Sequence, residues 1–406
     1  MFRRKRVHRQ FTNGQVTGYL ACLAFVVLPV RHRLAPTPEG KTVKLQRSGY
    51  IAGIALTATL ALTACGSDNN EPSGDSGASA ASANCVAGSV TAQGSSAQKN
   101  AMAEWIKKYQ SQCSDAKINY EATASGAGIQ AFIAGTADFA GSDSALKEEE
   151  QPQADAKCAG GTALNLPMVV GPIAVVYNLD GVDGLQLDAP TLAKIFDSKI
   201  TKWNDPAIAA QNSGAKLPDT TITAVHRSDE SGTTDNFTKY LSKAAEKDWT
   251  YGNAKAWKAK GGTGAAKSDG VASAVKSTAG SISYVELSFA ENSDLQKAKV
   301  KNGAGEYTEL TAESAGKGIE GASIKGTGNN LALSIDYNAT TAGAYPIVLA
   351  TYEIVCSKGS AKAASLKAFF TYTSSKGGQD ALTDLGYAPL PETIRSKVET
   401  AVASIS

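Results

Sequence analysis

The chain has 406 residues, of which 42% are hydrophobic and 19% charged, with a formal net charge of +2. Residues 1–64 hold ten of the 40 basic residues and one of the 38 acidic residues, so the remainder carries 30 basic and 37 acidic residues, a net charge of −7. Nucleic-acid-binding proteins need a basic face, so this charge excludes that class. A net-negative protein that binds an anion must use local hydrogen-bond donors rather than long-range attraction.

Residues 1–64 are predicted to be a leader rather than part of a folded domain. Two apolar runs occur there, at 18–30 and 51–64. The first is broken by Pro29 and is shorter than the roughly 20 residues that a membrane-spanning helix needs. Because two successive apolar runs are unusual in one leader, we expect translation to start near Val43.

Cys65 is predicted to be the lipid-bearing N-terminus of the mature protein. The second apolar run follows Lys44 and Arg47 and ends in Leu-Thr-Ala-Cys, an order typical of an export signal. This ending resembles a bacterial lipobox, in which the cysteine is lipidated; the alternative is a signal peptide with an incidental cysteine. Segment 65–84 is rich in Ser, Ala, Gly, Asp and Asn and lacks large apolar residues, so we expect a flexible tether.

From Cys85 onward about 320 residues remain, which exceeds a comfortable single core and predicts two domains. This part holds four cysteines, which in an exported chain indicate two disulfides with three possible connectivities. We favour Cys85–Cys113, because the foot of a first strand lies near the end of the helix that follows it. That choice leaves Cys158–Cys356, and neither pair has the spacing of a metal site.

Strand and helix patterns alternate along the rest of the chain. Strands are predicted at 86–92, 117–122, 138–140, 169–177, 222–225, 281–285 and 347–355. Helices are predicted at 97–109, 128–135, 192–196, 206–211, 231–241, 270–276, 366–372 and 394–403. Segment 298–343 is glycine-rich and is expected to be irregular. The alternation predicts an α/β protein with largely parallel strands.

Small polar residues follow four of the predicted strands, at 95–97, 124–128, 138–143 and 227–233. Each segment alone is a weak signal, because such residues are common in turns. Together they are stronger, since open α/β sheets bind ligands at the carboxyl ends of their strands. In the last segment, a helix N-terminus with two hydroxyl residues lies beside Arg227, which favours an anion site. The alternative is an ordinary capped helix with a surface salt bridge.

These segments resemble the phosphate-binding lipoprotein of the high-affinity phosphate ABC transporter (the PstS family). The resemblance runs through nearly all of 85–406 and is most specific at 124–128, 138–143, 202–205, 227–233 and 280–286. It implies a two-lobed periplasmic-binding-protein fold with hinge strands and the ligand between the lobes. Lobe I would be 85–167 plus 346–406 and lobe II 168–345, with crossings near 166–170 and 345–348.

The resemblance also implies a set of phosphate-binding residues and a role for each. Ser96 and Ser125 would use their hydroxyls and Ala97 its N–H, while Asp143 would accept a proton of the ligand. Arg227 would bind phosphate oxygens and be oriented by Asp229, and the helix N-terminus would contribute Ser231, Gly232 and Thr233.

Two departures from the family pattern concern this set. The family often has Thr-Phe where Ser96 and Ala97 stand, but Ser keeps the hydroxyl and Ala keeps the N–H. The family often has Gly where Glu230 stands, and the added negative charge is expected to weaken affinity.

Asp143 predicts selectivity for phosphate over sulfate. Phosphate near neutral pH retains a proton that a buried carboxylate can accept, whereas fully deprotonated sulfate leaves that carboxylate unpaired against a like charge. Such a mismatch costs several kcal/mol, on the order of 10³-fold in discrimination. The alternative for Asp143 is a cap for a helix beginning at Ala145.

Other functions are less well supported by the sequence. His226 is the one histidine after the leader, and it should face away from Arg227 on a strand, which argues against a Ser-His-Asp enzyme. Residues 261–268 narrowly miss a phosphate-binding P-loop pattern, and no metal site or cofactor is indicated. The remaining alternatives are a binding protein for sulfate or another oxyanion and a surface phosphate sensor without transport.

The expected partners follow from the resemblance. They are inorganic phosphate, the permease and ATPase subunits of a phosphate ABC transporter, and the membrane through the lipid anchor. The expected location is the extracytoplasmic face of the cell membrane.

Overall fold

The computed structural model describes residues 84–406. The predicted leader 1–64 with its start near Val43, the lipid-bearing Cys65 and the tether 65–84 lie outside the described residues, apart from Asn84. Among residues 84–406, no helix combines the length and apolar character needed to cross a membrane.

The strands of the described part follow the predicted order, with several short additions. They are β1 (Gly88–Gly94), β2 (Ala116–Ala122), β3 (Phe139–Ser142), β4 (Ala163–Asn178), β5 (Gln186–Leu187), β6 (Thr223–Arg227), β7 (Thr263–Ala265), β8 (Ser281–Glu286), β9 (Gln296–Lys297), β10 (Lys299–Lys301), β11 (Tyr307–Thr308), β12 (Ser323–Ile324), β13 (Leu333–Ser334) and β14 (Val348–Cys356).

The helices of the same residues are interspersed with these strands. They are α1 (Lys99–Gln112), α2 (Ser125–Ile133), α3 (Gln151–Lys157), α4 (Ala189–Phe196), α5 (Pro206–Ala209), α6 (Gly232–Ala244), α7 (Lys267–Ser277), α8 (Leu287–Asn292), α9 (Ala312–Glu320), α10 (Ala363–Ser374), α11 (Lys376–Asp380) and α12 (Glu392–Ala403), with a 3-10 turn at Thr383–Leu385.

One mixed sheet has the strand order β2-β1-β3-β14-β4-β8-β6-β7, with β9 beside β4. At one end β1 pairs in parallel with β2 and β3, and at the other β6 pairs in parallel with β8 and β7. In the middle, β14 and β4 are antiparallel to each other and to their outer neighbours β3 and β8. The prediction of largely parallel strands is therefore confirmed for the outer parts of the sheet and wrong for the middle, where β4 and β14 run antiparallel to their neighbours.

β4 is the element that joins the two parts of the sheet. Its first part pairs with β14, and its last part, from Ile173, pairs with β8. Every residue from Ala163 to Tyr177 is buried, which explains the long apolar run. The predicted strand began late, at 169, because Asn165 and Pro167 interrupt the run; the Asn165 side chain is satisfied by the N–H of Leu146 and by Asn330.

The segment 298–343 is more regular than predicted. It contains α9, which begins with a capping box between Thr311 and Ser314, and the short strands β12 and β13, which pair with each other. The expectation of an irregular segment is wrong over α9, where Gly316 and Gly318 weaken the helical pattern in the sequence.

The disulfide prediction is confirmed. The structure pairs Cys85 with Cys113, which follows α1, and Cys158, which follows α3, with Cys356 at the end of β14. The second bond therefore ties a surface helix to a central strand across a sequence separation of 198 residues.

Candidate anion-binding site

The loops that follow β1 and β2 contact the loops that follow β6 and β7. The hydroxyl of Ser96 lies 2.9 Å from that of Ser268, and the N–H of Gly232 donates to Ser125 Oγ at 3.2 Å. The Gly126 N–H donates to the carbonyl oxygen of Glu230 at 3.0 Å. The carboxyl ends of strands from both outer parts of the sheet therefore meet, as the pattern of small polar residues predicted.

Asp143 lies at the centre of this meeting point and is only 2% exposed. Its carboxylate accepts hydrogen bonds from the hydroxyls of Ser95 at 2.6 Å, Thr351 at 2.8 Å and Ser125 at 3.1 Å. Burial raises the pKa of Asp143 to about 6, and the three hydroxyls counteract part of that increase. The helix-cap alternative does not hold, because α3 begins at Gln151 rather than at Ala145.

Arg227 ends β6 and is held by a bidentate ion pair. Its Nε and Nη2 donate to the two carboxylate oxygens of Asp229 at 2.7 and 2.5 Å, although its side chain is only 2% exposed. Burial alone would lower the pKa of Arg227, but Asp229 more than offsets this effect and the pKa is raised. The pairing leaves Nη1, which lies 3.4 Å from Ser268 Oγ, as the part of the guanidinium turned towards the loop contacts.

The pKa of Asp229 moves in the opposite sense. Burial raises it, but the Arg227 guanidinium lowers it by more, so the group stays ionised. The N–H of Lys267, at the start of α7, also donates to Asp229 at 3.3 Å. The orienting contact that the resemblance assigns to Asp229 is therefore present in the structure.

The N-terminus of α6 supplies the predicted helix end. Ser231 is the N-cap and accepts from the Thr234 N–H at 3.3 Å, while its own N–H donates to the Lys255 carbonyl oxygen at 3.1 Å. The Ser231 N–H is therefore already paired with a backbone carbonyl oxygen, whereas its hydroxyl accepts a hydrogen bond and can still donate its own proton. The end of a helix carries partial positive charge, which suits an anion.

Gly232 allows this helix end to approach the opposite loops closely. A Cβ at this position would lie 2.5 Å from the Cβ of Asp143 and 2.6 Å from Ser125 Oγ. Any other residue would push the two sides apart. The next residue, Thr233, donates its hydroxyl to the buried carboxylate of Glu286.

The first loop is arranged differently from the prediction in one respect. Ser96 contacts Ser268 through its hydroxyl, but the N–H of Ala97 donates to Ser95 Oγ at 3.0 Å. Ser95 therefore links Ala97 to Asp143, a role that the sequence did not single out.

Further residues of the site were missed from the sequence. Ser268 belongs to the glycine-rich stretch that was set aside as an incomplete P-loop, and it follows β7, a three-residue strand that the sequence did not predict. Thr351 lies within the buried strand β14 and gave no signal at all. Glu286 ends β8, which was predicted as a strand but not as part of the site.

Glu230 lies at the edge of the site rather than within it. Its side chain is exposed and packs against Gly126, where an added Cβ would come within 2.4 Å of a carboxylate oxygen. Its predicted effect on affinity thus concerns the exposed rim.

A cavity of about 460 Å³ adjoins Asp143. Its walls come from the loop after β3, from α6 and from the segment around β12 and β13. Four lysines line it, namely Lys147, Lys239, Lys243 and Lys325. Lys239 pairs with Asp235, but no carboxylate of residues 84–406 pairs with Lys243 or Lys325.

Hydrogen bonds connect the walls of this cavity beside the buried site. Ser144 donates to Asp235 at 2.6 Å, and Asn236 donates to the carbonyl oxygen of Asp143 at 2.6 Å. Tyr337 donates to Asn236 at 2.5 Å. These contacts bring α6, the β3 loop and segment 325–337 together at one side of the site.

His226 lies away from the site hydroxyls, as predicted. Its ring is half-buried and stacks on Trp257 with centroids 4.8 Å apart, and its Nδ1 lies 2.9 Å from the Arg227 carbonyl oxygen. Within the described residues, no group of three or more His, Cys, Asp or Glu side chains is arranged to hold a metal ion.

In sequence and in fold, the chain is similar to known phosphate-binding proteins. The family model described as a PBP superfamily domain matches residues 79–376. Phosphate-binding protein PstS 3 of Mycobacterium tuberculosis (strain ATCC 25618 / H37Rv) is 45% identical over 372 residues, covering 90% of this chain and 100% of that protein. Phosphate-binding protein PstS 2 of the same strain is 42% identical over 370 residues, with the same coverage of 90% and 100%. The solved structure of a phosphate-binding protein from Stenotrophomonas maltophilia shares the fold, with a TM-score of 0.61, 20% identity, and coverage of 77% of this chain and 93% of that one.

Proposed function

Because this chain belongs to the PBP superfamily and, within it, to the PstS family, we propose that it binds inorganic phosphate outside the cytoplasmic membrane and delivers it to an ABC permease for import. The observation that carries the proposal is a buried carboxyl group, Asp143, against the N-terminus of α6, with the buried guanidinium of Arg227 turned towards the same loop contacts. One acceptor among several donors suits an anion that still carries a proton.

The ligand set that we propose is the one implied by the family resemblance. Arg227 and the donors of the α6 N-terminus bind phosphate oxygens, and the hydroxyls of Ser96 and Ser125 add further donors. Asp143 accepts the proton of the ligand. The complete proposed set is Ser96, Ala97, Ser125, Asp143, Arg227, Asp229, Ser231, Gly232 and Thr233, with Asp229 orienting Arg227.

Capture proceeds by closure of two lobes in this account. We assign 85–167 and 346–406 to lobe I and 168–345 to lobe II, with β4 and the start of β14 as the hinge. Phosphate contacts residues from both lobes, so its binding favours the closed arrangement. The lysine-lined cavity beside Asp143 serves as the route by which phosphate reaches the site.

Delivery requires partners at the membrane. The closed protein docks on the permease, whose ATP-driven cycle reopens the lobes, and no cofactor takes part. Lipidation at Cys65 holds the protein at the extracytoplasmic face of the membrane, and the tether raises its effective concentration near the permease. The protein acts as a binding protein and not as an enzyme.

The proposal is tested by calorimetric titration of the purified protein with phosphate, after carried-over ligand has been removed by partial unfolding. Arg227→Ala is expected to weaken phosphate binding at least about 100-fold, because charge-assisted hydrogen bonds contribute about 1.5–3 kcal/mol each. Arg395→Ala is the matched control, since Arg395 also pairs with a carboxylate, Glu392, but on the surface helix α12. Equal affinity of wild type and Arg227→Ala would contradict the proposed site.

Transport is tested separately from binding. Deletion of the gene is expected to reduce phosphate uptake by cells under phosphate limitation. Unchanged uptake, together with tight phosphate binding in vitro, would indicate a surface sensor instead.

A further inference from the structure

The candidate site contains more buried carboxyl groups than its cations can neutralise. Asp143, Glu286 and Glu353 are all at most 2% exposed, and the buried guanidinium of Arg227 is already paired with Asp229. If all three were ionised, Glu286 and Glu353 would each repel Asp143 and would disfavour an anion bound there. At least one of them must therefore carry a proton when phosphate is bound.

Glu353 is the carboxyl group whose surroundings suit the protonated form. It lies on β14, directly opposite Gly141 of β3, and opposite residues of an antiparallel pair project to the same face. A Cβ at Gly141 would lie 2.1 Å from Gln98 Nε2 and 2.4 Å from Tyr120 Oη, so these two side chains cover that face. Neither carboxylate oxygen of Glu353 has a hydrogen-bond partner among the described residues.

Unlike Glu353, the other two buried acids accept hydrogen bonds from hydroxyl groups. Asp143 accepts three hydroxyl hydrogen bonds, and Glu286 accepts one from Thr233. An ionised carboxylate needs such donors when it is buried, and a protonated one needs an acceptor instead. Gln98 Oε1 is also buried without a partner, and the Gln98 side chain lies close enough to Glu353 to affect its pKa.

Hydrogen bonds lead from Gln98 through Tyr120 to Ser95, and Ser95 in turn contacts Asp143. Gln98 Nε2 donates to Tyr120 Oη at 3.1 Å, and Tyr120 donates to the Ser95 carbonyl oxygen at 2.8 Å. The Ser95 hydroxyl then donates to Asp143 at 2.6 Å. The position of the Glu353 proton is thus coupled to the residue proposed to read the proton of the ligand.

We propose that Glu353 is a neutral carboxylic acid that donates its proton to Gln98 Oε1, and that loss of this proton at alkaline pH weakens phosphate binding at Asp143. Glu353 is a positioning residue here and does not touch the ligand. The binding part of the inference rests on the proposed phosphate function.

The expected pH dependence follows from the groups that face Glu353. Burial raises its pKa to about 8; the Gln98 amide opposes this increase and the Asp143 carboxylate adds to it. Tyr120, the other titratable group facing it, stays protonated, because burial raises its pKa well above the ordinary value. As pH rises through about 8, Glu353 gains a negative charge that acts on Asp143 and on an anion bound there, so affinity falls.

The first test measures the phosphate dissociation constant of wild type, Glu353→Gln and Glu121→Gln across about pH 6.5 to 9.5. The ratio of wild-type to Glu353→Gln constants cancels the ionisation of phosphate itself. We expect a ratio of about one at pH 6.5 that rises about tenfold by pH 9.5, since a linked proton contributes up to tenfold per pH unit. Glu121 is exposed on β2, so Glu121→Gln should follow wild type throughout.

If the ratio of the wild-type and Glu353→Gln dissociation constants does not change with pH, the ionisation of Glu353 does not affect phosphate binding and this part of the inference is wrong. Loss of binding in Glu353→Gln at pH 6.5 would also overturn it, because the neutral amide should replace a neutral acid. Since the amide could disturb folding, the thermal midpoint of each variant is compared at the same pH.

The second test needs no phosphate and therefore separates failure of this inference from failure of the proposed function. A folded-state pKa raised from 4.5 to about 8 gives stability that is complete below the lower value and is lost as pH rises through the upper one. Wild type should lose thermal stability relative to Glu353→Gln between about pH 5 and 9. Its infrared spectrum at neutral pH should also contain a carboxylic-acid carbonyl band that Glu353→Gln lacks. Parallel stability curves together with no such band would show that Glu353 is ionised.

Discussion

At the scale of single residues, Asp143 and Arg227 have opposite roles in the proposed site: one accepts hydrogen bonds and the other donates them. Asp143 is an acceptor that three hydroxyls hold in place, and its pKa of about 6 leaves it mostly ionised at neutral pH. Arg227 is a donor whose orientation is set by Asp229. Because both side chains are buried, each depends on its partners rather than on water to satisfy its charge.

Asp229 should matter for phosphate binding even though it is a partner of Arg227 and not a donor to the anion. In Asp229→Asn, the amide keeps one acceptor oxygen, so the bidentate contact is lost and the guanidinium becomes less well oriented. We expect phosphate affinity to fall about tenfold, which is less than the effect of Arg227→Ala.

The control for this prediction is Asp269→Asn. Asp269 also forms an ion pair, with Lys99, but both side chains are about half exposed, so affinity should change little. Calorimetric titration measures both variants, and unchanged affinity in Asp229→Asn would remove Asp229 from the proposed set.

Some residues of the site could be predicted from the sequence and others could not, because only some of their contacts are local along the chain. Arg227 and Asp229 are two positions apart, so local spacing was enough to place their side chains together. Thr351 is 208 positions from Asp143 and sits in a wholly buried strand, and only the folded sheet brings it to the carboxylate. Glu353 was likewise concealed within a strand whose apolar pattern indicated only burial.

At the scale of elements, the hydrophobic periodicity located most strands and helices, but it could not specify strand direction. β4 and β14 were both predicted from apolar runs, and only the folded sheet shows that they pair antiparallel. The position of the site was predictable, because it required only that polar turns follow successive strands. β7 has only three residues, and its small size explains why Ser268 was missed.

Among the helices too, some were predictable from the sequence and others were not. α6 was predicted well because Ser231 provides an N-cap and Phe237, Tyr240 and Leu241 form one buried face. α9 was missed because two glycines lie within nine residues, and its stability depends on packing against β4 and β14 rather than on its own propensity.

At the scale of the whole molecule, the distribution of charge revises the expectation from composition. Residues 65–406 carry a net charge of −7, which argued against long-range attraction of an anion. The cavity beside Asp143 nevertheless has four lysines in its walls, two of them without a carboxylate partner among the described residues. A cleft lined by one sign of charge can raise the local concentration of an anion although the protein as a whole repels it.

We therefore predict a role for the cavity lysines in the rate of binding. The double variant Lys243→Gln with Lys325→Gln should lower the phosphate association rate constant roughly threefold at low ionic strength, with the dissociation rate unchanged. The difference should largely disappear in high salt, because exposed charges are then screened.

Stopped-flow measurement of tryptophan fluorescence follows this reaction. The double variant Lys117→Gln with Lys258→Gln removes the same charge from exposed positions that do not line the cavity, so it serves as the control. Equal association rates for both double variants would contradict the assignment of the cavity as the access route.

We propose that this protein selects phosphate over sulfate through the buried carboxyl group of Asp143. The measurement that tests it most directly is calorimetric titration of wild type and Asp143→Asn with each anion at neutral pH. We expect wild type to bind phosphate one-to-one and at least about 10³-fold more tightly than sulfate, and Asp143→Asn to lose most of that preference. Sulfate binding by wild type as tight as phosphate binding would contradict the claim and reassign the protein to another oxyanion.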